Sequence, residues 1–211
     1  MGAIISGCVL GAIYGLLPIF GKDWGLDVAD IALMMGLTIV GGLILQWPLG
    51  LLSDRLDRRK ILFFVSLTVA LLSLIIAFIN GFSYALLLTS VFIFGGFTFT
   101  INPLSVTHTS DTLEAKDIIA ALGSLIIAYG IGAIIGPILA SYAMTFFGYH
   151  GLFYYFAIID AFLAGFIFIR IKKKKSAATA DKVSYRNLPP RTTPILSELD
   201  PRSEEKKETQ Q

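Results

Sequence analysis

Six charged residues crowd into the seven positions from 54 to 60, as Asp54, Arg55, Asp57, Arg58, Arg59 and Lys60, between two long apolar runs. An acid followed four positions later by an arginine faces it across one helical turn, so Asp54 and Arg58 can pair. Gly50 stands four residues before Asp54, where the preceding helix leaves the apolar region. A glycine there lets a neighbouring backbone approach, and a carboxylate there can also meet the positive end of another helix. The chemistry of such a cluster is ion pairing, with no covalent step. A loop that only fixes membrane topology needs positive charge alone, and that simpler reading leaves the ordered acids unexplained.

Asp160 lies near the middle of another apolar run. A charged carboxylate at that depth costs roughly 2.5 to 3.5 kcal/mol on insertion scales, so it must be protonated or partnered. It is a candidate proton-coupling acid, and a neutral aspartic acid bonded to a hydroxyl is the competing reading. Apart from Asp160, and Arg170 at the very end of the last run, the runs hold no titratable carboxylate, lysine, arginine or histidine. His108 and His150 fall at opposite run ends, far apart along the bilayer normal, so no nucleophile and base pair is visible and an enzyme is not expected. The single cysteine, Cys8, lies within the first run, which excludes a disulfide framework and a cysteine metal site. No metal and no cofactor are expected. The net charge of +2 is a weak signal for nucleic acid, and the cations sit beside apolar runs instead, so no nucleic-acid partner is expected.

The elements that carry these residues follow from composition. Of the 211 residues 55% are apolar and 15% charged, and mean hydropathy is strongly positive, so the solvent of this chain is a lipid bilayer. Spanning hydrocarbon about 30 Å thick takes roughly 20 apolar residues as a helix, with every backbone group bonded internally. The runs are long and continuous rather than alternating, which rejects a barrel. The fold class is therefore all-α and membrane-embedded, with six spans at about 2–20, 31–52, 61–79, 84–106, 118–147 and 152–171. The fifth is longer than a bilayer needs and carries Gly136-Pro137, which predicts a tilted or kinked helix. From residue 172 to 211 the chain turns to Lys, Ser, Thr, Pro and Glu, the composition of a disordered tail.

Arg55, Arg58, Arg59 and Lys60, then Lys116, then Arg170 and Lys172 to Lys175 all fall on alternate connections, while the opposite set carries Lys22 alone. Retention of cations on the cytoplasmic side places both termini there. Trp24 and Trp47 fall near span ends, where indoles settle at headgroups or pack. The first run lacks a basic leader and is too long for a signal peptide, and Gly7, Gly11 and Gly15 at spacing four form a helix-packing face.

The stretch from Gly50 to Lys60 resembles the signature G-x-L-[A/S]-D-R-x-G-[R/K]-[R/K] of the major facilitator superfamily. The wider chain, through Gln46-Trp47-Pro48-Leu49-Gly50, Gly96-Phe97-Thr98 with Pro103, and Gly136-Pro137, is similar to the C-terminal bundle of its YcaD-like branch. The resemblance covers about residues 1 to 170. It implies one six-helix bundle, corresponding to the seventh to twelfth helices of a twelve-helix transporter of a small-molecule solute in the plasma (inner) membrane. It implies that Gly50, Asp54, Arg55, Arg58 and Arg59 gate alternating access by locking two bundles together. Aspartate at 57 departs from the signature's second glycine; it tolerates turn geometry and can cap the next helix. The resemblance further implies that the first, second, fourth and fifth helices line the cavity, which selects Tyr14, Gln46, Thr98, Thr100, Asn102 and Tyr129. Interhelical hydrogen bonding is an equal reading for each.

On this resemblance the chain is a truncated or split form, completed by an N-terminal six-helix half or a second copy of itself. The alternatives are a non-transporting or structural membrane subunit, and a homodimeric six-span transporter or channel. Asn102-Pro103-Leu104 resembles an aquaporin motif, but that fold needs two and one occurs. Gly132-x-x-x-Gly136-Pro137 resembles an antiporter motif of the opposite half, and a kink with close packing is the better reading.

Overall fold

The computed structural model describes residues 1–78, 83–111 and 118–173. They form the helices α1 (Gly2–Trp24), α2 (Val28–Arg55), α3 (Arg58–Phe78), α4 (Tyr84–Ser110), α5 (Ile118–Phe147) and α6 (Gly151–Lys173), with a 3-10 turn at Gly148–His150. Among the described residues there is no strand. Five helical stretches are long and apolar enough to cross a membrane, where sequence reading counts six. The difference lies in the last stretch, Ile119–Lys172, which takes in α5, the 3-10 turn and α6 together. Beyond residue 173 the expected tail, like Lys116, lies outside the described residues.

Several helices run past the charge-free windows because their caps lie in the polar zone. Gly25 ends α1 at φ 98°, and the Leu26 N–H donates to the Gly21 carbonyl, which satisfies a terminal acceptor. Asp27 starts α2 by accepting from the Asp30 N–H at 2.7 Å. The chain thus reverses within three residues, and α2 begins before its first uncharged window. α5 stays a single helix through Pro137.

Lipid tails are as apolar as leucine, so helices do not associate by hiding apolar side chains; they need close contact. α1 packs chiefly on α5, α2 on α4, and α3 on α6. Glycines set the first two pairs. A Cβ on Gly7 would strike the Tyr129 carbonyl and one on Gly11 the Ala133 carbonyl, while on the facing helix Gly132 and Gly136 abut the Ile4 and Cys8 carbonyls. Gly41 likewise abuts the Phe92 carbonyl of α4, and Gly95 abuts the Thr38 carbonyl of α2. Exchanging α1 with α4, α2 with α5 and α3 with α6 maps each of the three pairs onto another or onto itself. Such a pattern is what a three-plus-three repeat produces.

The centre is filled by aromatics from α1, α4 and α6. Phe20 meets Phe153 edge-on at 4.8 Å between centroids, and Phe94 meets Phe153 at 5.6 Å. Buried hydroxyls turn back on their own helices, as Ser66 donates to the Leu62 carbonyl and Ser73 to the Val69 carbonyl. α2 and α5 carry much of the exposed apolar surface, and Trp47 on α2 is 75% exposed.

Gly136→Ala should destabilise the bundle by about 1 to 3 kcal/mol, since its Cβ meets backbone that cannot yield. Gly130→Ala, on the same helix with nothing near its Cβ, should be neutral or stabilising. Thermal unfolding of the two purified variants in detergent measures the difference.

Candidate functional site

The link between α2 and α3 is built from two residues. The Leu56 N–H reaches back to the Leu52 carbonyl at 3.0 Å to finish α2. Asp57 then opens α3: its Oδ1 accepts from the Arg59 N–H at 3.0 Å, and its carbonyl accepts from the Lys60 and Ile61 N–H groups. No residue other than glycine has positive φ among the described residues, so the turn does not depend on a glycine at position 57. The aspartate replaces it with a cap.

That turn places Arg58 at the start of α3, with its guanidinium shared between two carboxylates. Nη2 lies 2.9 Å from Asp54 Oδ1, the pairing that the four-residue spacing predicts. Nη1 lies 2.8 Å from Asp111 Oδ2, just beyond the end of α4. One arginine thus ties the ends of three helices, and the fork of its guanidinium is what allows both bonds at once. The Asp54 and Asp111 side chains stay 64% and 52% exposed, so the cluster sits in a polar, screened setting.

Asp111 escapes a reading of spacing because its partner lies more than fifty positions away. The available signal was an acid at a helix C-terminus, where the helix dipole disfavours negative charge unless a cation compensates. Arg55 is exposed and makes no ion pair among the described residues. Gly50 presents open space, with nothing within 4 Å of a Cβ built on it. The neighbouring backbone expected to approach Gly50 is absent among the described residues.

The six candidate cavity residues separate by burial. Tyr14 on α1 is 52% exposed, with its ring edge-on to Phe99 at 6.2 Å. Gln46 on α2 is exposed, and Tyr129 on α5 is half-buried. Asn102 is half-buried on α4, and its Oδ1 accepts from the Ser6 hydroxyl of α1 at 3.3 Å, so it bonds between helices. Thr98 and Thr100 lie in the interior instead, on opposite sides of an α4 that packs against α1, α2 and α3, and the Thr100 hydroxyl donates to the Gly96 carbonyl. Asp160 is fully buried on α6, and neither carboxyl oxygen has a hydrogen-bond partner among the described residues.

At the other end of the bundle the Tyr84 hydroxyl donates to Asp30 Oδ1 at 2.7 Å, joining the starts of α4 and α2. This tie was also missed by sequence reading. Among the described residues no cluster of three or more His, Cys, Asp or Glu could hold a metal ion.

The family model described as Major Facilitator Superfamily matches residues 1–202. Similar relatives include the uncharacterized MFS-type transporters YcaD of Salmonella paratyphi B, Salmonella newport and Salmonella heidelberg, each 28% identical over 184 residues. The match covers 87% of this chain and 46% of each relative, so the chain spans about half the length of the curated relatives it matches.

Removing a screened bridge and removing a helix cap should have different costs. Arg58→Ala should lower stability by less than about 1 kcal/mol, as exposed ion pairs do. Asp57→Ala should cost about 1 kcal/mol or more, because α3 loses its N-terminal acceptor, and Asp57→Asn should restore it. Thermal melts of the three variants check the order.

Proposed function

The chain belongs to the Major Facilitator Superfamily, and from that membership we propose that it is the C-terminal six-helix half of a transporter moving a small solute by alternating access. It is a multi-pass membrane protein of a transporter family, not an enzyme. The observation that carries the proposal is Arg58 held between Asp54 and Asp111 at the cationic end of the bundle. In this reading Gly50, Asp54, Arg55, Arg58 and Arg59 form the gating loop. Its exposed carboxylates and the open side of Gly50 meet a second bundle in one state and release it in the other.

Six crossings require the stretch 119–172 to cross twice. Supporting this, a Cβ on Gly151 would strike the carbonyl of Ala143, eight residues earlier. A continuous helix would separate such positions by about 12 Å. Gly148, at φ 65°, is where the chain reverses. The cations then gather at one end, the cytoplasmic one, of an inner-membrane protein with both termini inside.

Tyr14, Gln46, Asn102 and Tyr129 line this bundle's share of the solute cavity, with Thr98 and Thr100 behind them in the helix packing. Asp160 is the candidate coupling acid, supported by its complete burial without a hydrogen-bond partner among the described residues. The completing bundle is an N-terminal six-helix half or a second copy, and the exposed faces of α2 and α5 are available to it.

The test is Asp54→Asn in proteoliposomes holding this chain with an N-terminal half, using a solute found by thermal-shift screening. Uptake should fall by roughly tenfold, about 1.4 kcal/mol of barrier, while the amount of inserted protein stays the same. Unchanged uptake would remove the gating role.

A further inference from the structure

A cavity of about 340 Å³ opens among α1, α3, α4, α5 and α6, apart from the Arg58 bridge and on the same cationic end of the bundle. Arg59 from the start of α3, Arg170 from the end of α6 and His108 from the end of α4 all line it. Neither the Arg59 nor the Arg170 guanidinium makes an ion pair among the described residues. The Arg170 guanidinium lies 5.7 Å from the Phe166 ring centroid, which steadies it at the cavity wall.

A second observation points to a ligand. Ser105, also in the lining, is only 6% exposed, and its Oγ has no hydrogen-bond partner among the described residues. A buried hydroxyl left unpaired costs about 1 to 3 kcal/mol, so a group that accepts from it is favoured there. Thr109 is the remaining polar side chain of the lining, and the floor is apolar, with Leu62, Leu163 and Ile167 largely buried.

Two guanidinium groups, an imidazole and a hydroxyl converging above a greasy floor match a phosphate group attached to a hydrocarbon chain. Guanidinium binds phosphate oxygens through paired N–H donors, and basic pockets between membrane helices favour anionic headgroups. We propose that this cavity is a binding site for an anionic phospholipid, with Arg59, Arg170 and Ser105 holding the headgroup phosphate and the apolar floor receiving the start of an acyl chain.

The purified 211-residue chain in uncharged detergent provides the test, with bound lipid counted by native mass spectrometry during titration. Dioleoyl phosphatidylglycerol should bind about tenfold more tightly than dioleoyl phosphatidylcholine. The double variant Arg59→Gln/Arg170→Gln should lose that preference, whereas Lys60→Gln/Lys172→Gln, with the same loss of charge outside the cavity, should retain it. Ser105→Ala, which leaves every charge in place and barely perturbs packing, should weaken phosphatidylglycerol binding several-fold and serves if the double variant does not fold. Equal binding of the two lipids, or equal loss in both double variants, would overturn the site. Millimolar inorganic phosphate displacing the lipid completely would identify a free-anion site and overturn the lipid assignment.

Discussion

Close backbone contact between helices is the constraint on which the rest of this structure depends. In a bilayer the hydrophobic effect gives no reason for one apolar helix to prefer another over lipid, so association rests on contact area and short approach. Glycines on both members of the α1–α5 and α2–α4 pairs permit that approach, each glycine abutting a carbonyl of its partner. With those pairs fixed, the start of α3 and the ends of α2 and α4 are brought to one place. Arg58 can then reach two carboxylates that come from different helices.

The energetics of that arginine suit a latch better than a brace. Exposed ion pairs contribute about 0 to 1 kcal/mol each, and the carboxylates of this cluster are more than half exposed. Interactions of this size can be exchanged for similar ones across an interface without unfolding the bundle. The proposed gate needs a difference between its two states of only a few kcal/mol. Asp57 acts differently. As the cap of α3 it fixes where Arg58 stands, which is how the turn works without the glycine of the family signature.

Much of this was legible from residue types alone. Charge-free runs locate the helices, though α2 and α4 extend three or four residues beyond them because caps and interfacial turns tolerate polar groups. The Asp54–Arg58 pair follows from four-residue spacing, and the packing role of Gly7, Gly11, Gly132 and Gly136 follows from small residues at the same spacing. Which helix each glycine would meet did not follow, since spacing describes a face and not its partner. Asp111 and the Asp30–Tyr84 bond were missed for the same reason: both are long-range in sequence. Their helix points Thr98 and Thr100 to a cavity, and the packing of α4 among α1, α2 and α3 buries both, a neighbourhood that spacing does not describe.

Access to Gln46 through the cationic end tests the central claim most directly. In the complex with an N-terminal half, and with Cys8 replaced by serine, a cysteine at position 46 would be labelled by a membrane-impermeant thiol reagent added from the cytoplasmic side. The account predicts slow labelling with the Arg58 cluster intact and labelling about tenfold faster when Arg58→Ala opens it, the change expected for about 1.4 kcal/mol of lost latch. Equal rates in the two proteins would contradict a gate at this cluster.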